Sequence, residues 1–222
     1  MSHSEDTMRS KLRKLASLKG PFLEFDGDLL PSTPHAAFEI WLGEAIARGI
    51  TEPHAMTLST VDESGCPDAR VLILKDLDER GWHFAAKDTS PKGQQITKNA
   101  DVALTFYWSE LGRQVRIRGR AGQLSDKECA GDFLSRPASS KISAMASKQS
   151  QVLTSPDELR EGMAGSQAFL RNNPEYVMPG WKVFAVEPVA VEFWQGATDR
   201  QHRRIVYTRE DKLTWEKRSL WP

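Results

Sequence analysis

Between residues 55 and 108 the chain breaks into short runs rich in β-branched and aromatic residues, each closed by a turn-forming cluster, and this rhythm limits the fold more than any other feature. The runs cover residues 55–61, 69–75, 81–86 and 101–108, and the stretch from Asp62 to Pro67 has the composition of a hairpin loop. Two further strands are expected at 114–122 and 182–194, bracketing two or three helices, and residues 205–220 read as a closing hairpin. Strands in succession, with helices inserted between them, predict a mainly β fold with surrounding helices, an α+β barrel.

Helix starts are written in cap chemistry. Thr33 and Pro34 suit an N-cap and first helical position, and Phe38, Trp41, Leu42, Ala45 and Ile46 follow at helical spacing before a stop near Gly49. Ser125 with Glu128, and Ser155 with Pro156 and Glu158, each place a hydroxyl three residues before a carboxylate. Residues 1–32 mix charge, Gly and Pro without sustained periodicity and read as a mobile arm, leaving 33–222 as a single domain.

The bulk numbers exclude several classes. Thirty Lys and Arg balance thirty Asp and Glu over 222 residues, so no net field gathers nucleic acid or an anionic membrane, and any basic site is local. No apolar run is long enough to span a bilayer, and the first eighteen residues lack the apolar segment of a signal peptide, so a cytoplasmic protein is expected. Cys66 and Cys129 lie far apart and signal neither a zinc site nor a disulfide framework. The five histidines show no metal-ligand spacing, and no zinc-protease, serine-hydrolase or P-loop motif is present.

Four segments could carry chemistry. Thr89-Ser90-Pro91-Lys92 opens a helix running to about Asn99; free backbone N–H groups and an ammonium at such a start suit a phosphate, although a plain capped surface helix has the same composition. The 70–75 strand sets apolar residues between Arg70 and Lys75, whose charges either reach solvent or meet an anion. Gln114, Arg116, Arg118 and Arg120 share one strand face, opposite Val115 and Ile117; a solvated outer face accounts for this better than a nucleic-acid stripe. Arg200, His202 and Arg204, at a two-residue period after Trp194, fall on one side of an extended chain, as donors for a planar anionic ligand or as a charged edge.

In order along the chain, several blocks together resemble the pyridoxamine 5′-phosphate oxidase family. They are Arg70-Val71-Leu72-Ile73-Leu74-Lys75, Ser90-x-Lys92, Arg113-Gln114-Val115, Ser135-Arg136-Pro137, Ser147-Lys148-Gln149-Ser150, and Glu192-Phe193-Trp194-Gln195-Gly196 leading to Arg200-x-His202-x-Arg204. The resemblance implies an FMN-binding split β-barrel that forms a homodimer with FMN at the subunit interface. It implies that Arg70, Val71, Leu72, Ile73, Leu74, Lys75, Ala85, Ala86, Ser90, Lys92, Gln114, Gln149, Ser150, Trp194 and Arg204 line the cofactor site. Lys75, Asp132, Arg136, Ser140, Arg200 and His202 are then expected to face the substrate, with Arg200 and His202 as the catalytic pair.

Departures from the family pattern bear on the substrate. Pro91 stands where the family usually has an arginine, Arg203 replaces an acidic residue, and Asp132 stands where vitamin-making members carry a tyrosine that helps hold the substrate phosphate. An unpaired carboxylate there repels phosphate. With the 55–62 segment and the Pro21-Phe22-Leu23-Glu24-Phe25 arm, these departures resemble the phenazine-biosynthesis branch. That implies a small anionic, partly reduced heterocyclic substrate, hydride transfer to FMN and reoxidation by O2. Pyridoxine or pyridoxamine 5′-phosphate oxidation is the alternative client; a non-catalytic flavin-binding module and a nucleic-acid-binding barrel are the rival classes.

Overall fold

The computed structural model describes residues 7–23, 25–211 and 214–222. Residues 1–6 and Glu24 of the arm, with Lys212 and Leu213 of the last hairpin, lie outside the described residues. The helices are α1 (Met8–Lys14), α2 (Pro34–Ala47), α3 (Pro91–Lys98), α4 (Asp126–Ser135), α5 (Ala138–Ala146) and α6 (Pro156–Asn172). The strands are β1 (Ala55–Val61), β2 (Pro67–Ile73), β3 (Asp76–Asp78), β4 (Gly81–Lys87), β5 (Asp101–Trp108), β6 (Arg113–Gln123), β7 (Trp181–Gln195), β8 (Arg203–Arg209) and β9 (Trp215–Leu220). They run in the order β2-β1-β5-β6-β7-β4-β3, with β8 paired to β7 and β9 to β8. The mainly β, α+β architecture expected from the sequence is the one present.

Local chemistry explains most element ends. Asp62 nucleates the β1–β2 loop by accepting from the Ser64 N–H at 2.8 Å and the Cys66 N–H at 2.9 Å. Ser125 and Glu128 form a complete capping box, whereas Glu158 turns away from Ser155 and accepts from Thr154 Oγ1 at 2.6 Å. The arm departs from its sequence reading: Thr7 caps α1, whose Lys11, Arg13 and Lys14 complement the C-terminal end of the helix dipole, and none of the helix's residues is buried. Three-residue β3 was too short to show a periodicity, and it pairs with β4 through Asp76 and His83.

The residues form two bodies, each assembled from separated stretches. One comprises the described residues up to Pro53 with Phe106–Val115 and Val191–Pro222; the other comprises His54–Thr105 and Arg116–Ala190.

The first body has an aromatic centre. Phe38 lies 4.8 Å from Phe106, Trp41 meets Phe193 edge-on at 5.1 Å, and Phe193 meets Tyr207 edge-on at 5.7 Å. Of the α2 positions expected to be apolar and inward, Phe38, Trp41 and Ala45 are buried, but Ile46 is 60% exposed because it falls past the inward stripe. Lys217 Nζ donates to the carbonyls of Gly27, Asp28 and Leu30, fastening the end of the arm segment to β9.

The second body buries Met56, Leu58, Trp82, Phe84, Leu104 and Ile117, with Phe84 stacked on Phe184 at 5.5 Å. Val115 in the first body and Ile117 in the second are fully buried, while Arg116, Arg118 and Arg120 are exposed, as the alternation along β6 requires. The β2 reading needs correction. The strand ends at Ile73, two residues early, and its charged ends do not bracket a buried run: Val71 is 68% and Ile73 36% exposed. The chain leaves the strand as Leu74 N–H donates to His54 and Lys75 N–H to His83.

Candidate active site

In the second body the N-terminus of α3 forms a tight cradle beside a buried lysine. Ser90 Oγ donates to the Lys87 carbonyl at 2.6 Å and accepts from the Gly93 N–H at 3.3 Å, while Pro91 occupies the first helical position. Gly93 is required there: a Cβ would sit 2.2 Å from the Lys87 carbonyl oxygen. Lys92 is 6% exposed, and its Nζ donates to Gln149 Oε1 at 3.2 Å. Burial pulls the Lys92 ammonium below the usual lysine range; Arg70 and Lys87 pull in the same direction and Asp68 opposes them.

Arg70 is positioned by Thr60 Oγ1 at 2.6 Å, Gln95 Oε1 at 3.2 Å and the Asp68 carboxylate. Lys87, also lowered by burial, donates to the Ser147 carbonyl. Ala86 is buried and Ala85 half-buried on β4. Gln149 and Ser150 lie on the exposed segment after α5, where Ser150 takes φ +68°.

A second set of groups in the same body forms around the end of α4. Lys75 Nζ lies 3.2 Å from Asp132 Oδ1, and Trp181 Nε1 donates to Asp132 Oδ2 at 2.7 Å. The Arg136 guanidinium stacks 3.9 Å above the Trp181 ring, and its Nη1 is buried without a hydrogen-bond partner among the described residues. Burial lowers the Arg136 pKa, against the opposing pull of Asp132. Ser140 sits half-buried in the first turn of α5. The Asp132 carboxylate, whose pairing the sequence left open, is thus held by a lysine and an indole. Trp181 was not singled out from sequence, where nothing local marks it.

In the first body the Trp194 and His202 rings lie 4.9 Å apart at 47°. Arg204 Nε donates to Glu192 Oε1 at 2.9 Å and Nη1 to the Trp221 carbonyl at 3.0 Å. The expected two-residue alternation of Arg200, His202 and Arg204 is overturned. Arg200 has φ +67°, its N–H donates to the Ala197 carbonyl in a turn, and β8 begins only at Arg203. One left-handed residue resets the side-chain alternation.

Beneath this loop lies a buried network that sequence reading missed. Arg113 stacks 4.3 Å over Trp41, pairs with the Glu44 carboxylate and donates through Nε to Gln195 Oε1 at 2.9 Å. Gln195 Nε2 in turn donates to the carbonyls of Leu111 and Gly112. This fixes the residues just before Gln114, which is half-buried on β6, and the residue after Trp194. A cavity of about 480 Å³ is lined by Pro21, Phe22, Gly196, Thr198, Asp199 and Arg203 in this body.

Among the described residues no group of three or more His, Cys, Asp or Glu side chains could hold a metal ion, and no helix is long and apolar enough to cross a membrane. The cationic helix start and the Arg-, Lys- and Trp-bearing clusters lie on a mainly antiparallel sheet, and their charges and donors suit small anionic groups.

Comparison with known proteins narrows that class. Residues 42–195 match the family described as pyridoxamine 5′-phosphate oxidase, and residues 181–222 match the pyridoxine 5′-phosphate oxidase C-terminal dimerisation region. The chain belongs to the pyridoxamine 5′-phosphate oxidase family, whose members are oxidoreductases. It is 44% identical over 179 residues to the pyridoxine/pyridoxamine 5′-phosphate oxidase of Burkholderia mallei, covering 80% of this chain and 82% of that one. With the protein of the same description from Nostoc punctiforme it shares 39% identity over 217 residues, 98% of this chain and 100% of that one. Among solved structures it is similar to PhzG from Burkholderia lata in complex with tetrahydrophenazine-1-carboxylic acid, with a TM-score of 0.83 and 30% identity over 91% of this chain and 98% of that one. A pyridoxamine 5′-phosphate oxidase-related, FMN binding protein from Nostoc punctiforme shares the fold, with a TM-score of 0.70 at 16% identity over 86% of this chain and 98% of that one. The fold is therefore the split β-barrel that the sequence resemblance implied, close to the phenazine branch.

Proposed function

We propose that the protein is an FMN-dependent oxidase that acts, as a homodimer, on a reduced tricyclic phenazine carboxylate, with dioxygen as the final electron acceptor. The observation that carries this reading is Lys92, an ammonium buried at a serine-capped helix start with Arg70 and Lys87 bearing on it. Cationic charge gathered out of water at the positive end of a helix is complemented by a phosphate monoester, and the residues present fit the phosphate of FMN. FMN, when bound, supplies a ring that takes up a hydride and is reoxidised by dioxygen.

The chain's own residues divide the remaining work. Ser90, Lys92 and Arg70 hold the phosphate, with Gln149 and Ser150 beside it. Val71, Leu72, Ile73, Leu74, Ala85 and Ala86 supply backbone and apolar contact, and Gln114, Trp194 and Arg204 bound the ring. Arg136, Lys75 and Ser140 take the substrate's anionic group. Arg200 and His202 orient the reduced ring, so that catalysis rests on positioning and on polar contact.

The phenazine client is supported by the likeness to PhzG bound to tetrahydrophenazine-1-carboxylic acid, and the dimer by the match to a dimerisation region. The second reading, oxidation of pyridoxine or pyridoxamine 5′-phosphate, is favoured by the 44% identity to an oxidase of that description. The test is a substrate panel on FMN-loaded protein. Bleaching of the flavin absorption under anaerobic mixing and oxygen uptake under air are followed for a dihydrophenazine carboxylate and for both vitamin phosphates. Faster reduction by the carboxylate is expected. A protein that takes up no flavin, or whose flavin none of these donors reduces, overturns the reading.

A further inference from the structure

Lys75, Asp132, Trp181 and Arg136 form a continuous chain of contacts. Lys75 lies 3.2 Å from Asp132 Oδ1, Trp181 Nε1 donates to Asp132 Oδ2 at 2.7 Å, and the Arg136 guanidinium lies 3.9 Å over the Trp181 ring. Both carboxylate oxygens are engaged, which holds the carboxylate within the cluster. Arg136 keeps a buried Nη1 that no group among the described residues accepts from. A buried unpaired donor on a guanidinium is costly unless a ligand completes it. Two cations and one carboxylate leave this cluster a single net positive charge.

We propose that Asp132 is a specificity-determining residue that tunes this pocket to a singly charged carboxylate and against a doubly charged phosphate monoester, with Trp181 as the positioning residue that holds it. A ligand carboxylate takes the open Arg136 Nη1 and a share of Lys75, and its charge matches the net charge of the cluster. A phosphate dianion brings one negative charge too many and meets Asp132 at close range, where like charges set specificity by repulsion. The proposal rests on the reading that these residues take the substrate's anion, and it names the chemical class of that anion.

The test measures dissociation constants of FMN-loaded protein for two probes, phenazine-1-carboxylate and pyridoxal 5′-phosphate, in the wild type, Asp132→Asn and Trp181→Phe. Asp132→Asn keeps an oxygen for the Trp181 N–H and removes the charge. It is expected to tighten pyridoxal 5′-phosphate about tenfold, the effect of removing one close like charge, while moving phenazine-1-carboxylate by less than about threefold. Trp181→Phe keeps the stacking surface for Arg136 and frees Asp132, and is expected to shift the ratio of the two constants in the same direction by a smaller factor. If both probes bind and Asp132→Asn leaves their ratio unchanged, the role of Asp132 is overturned while the pocket stands. Failure of the wild type to bind either probe overturns the pocket reading and this inference with it.

Discussion

The backbone N–H of Ala197 donates to Nδ1 of His202 at 3.1 Å. A backbone N–H can only donate, so Nδ1 accepts and the neutral imidazole carries its proton on Nε2. His202 therefore keeps a donor at its remaining nitrogen.

The first prediction concerns that proton. Nitrogen-detected NMR of histidine-labelled protein above pH 7.5 is expected to show the Nε2–H tautomer at His202. His202→Gln, which can return an N–H near the Nε2 position, is expected to keep more turnover than His202→Ala, with about a tenfold loss for the alanine variant, the worth of one hydrogen bond. An Nδ1–H signal would remove the basis of this assignment.

Lys92 gives a pH dependence whose sign is fixed. Its folded pKa lies below the ordinary 10.5, chiefly through burial. Between the folded value and 10.5 the unfolded chain binds more protons than the folded one, so the flavin-free protein gains stability as pH rises through that window. Bound phosphate reverses the burden on the ammonium. Thermal denaturation is expected to show a larger FMN-induced rise in Tm at pH 7 than at pH 10.5. Lys92→Met is expected to flatten the pH dependence of the flavin-free protein and weaken FMN by about tenfold or more, the range for a charged hydrogen bond.

Gly93 tests the cradle without touching a charge. Because a Cβ would lie 2.2 Å from the Lys87 carbonyl and 2.8 Å from the Asp88 Cα, both backbone atoms, Gly93→Ala must displace the start of α3. A loss of about 3 kcal/mol in urea unfolding is expected, typical of overpacking against backbone. FMN affinity is expected to fall with it. Gly131, on α4, meets nothing within 4 Å, so Gly131→Ala is the matched control and is expected to be neutral or stabilising.

What the sequence made legible was local. The caps Thr33, Ser90, Ser125 and Ser155 each act on the N–H group three residues away, so their chemistry is complete within a short window. The alternation along β6 was readable for the same reason. The exposure of Val71 and Ile73 was not, because a run of apolar residues does not say which face of its strand is covered. The turn at Arg200 hid behind a two-residue spacing that an extended chain would also give. Asp132 could be named as a departure, but its partners are distant in sequence, Lys75 between β2 and β3 and Trp181 at the start of β7, and only the folded chain brings them to its two oxygens.

The last prediction follows Tyr207, whose ring is fully buried and whose Oη donates to the Pro31 carbonyl at 2.7 Å. Burial pushes its pKa up to about 12, against an ordinary value of 10.0. A phenol raised in this way contributes stability that is fully present below pH 10, where both states are neutral. That stability is lost as pH climbs from 10 toward 12, because the unfolded chain ionises first. Across that window the stability due to Tyr207 should fall by up to about 1.4 kcal/mol per pH unit. Tyr207→Phe removes the ionisable oxygen and the bond to Pro31, so it is expected to cost about 1 kcal/mol at pH 7. The difference between wild type and variant in urea unfolding should shrink and then reverse between pH 10 and 12. A constant difference across that range would show that the Tyr207 hydroxyl ionises equally in both states and overturn its burial against the Pro31 carbonyl.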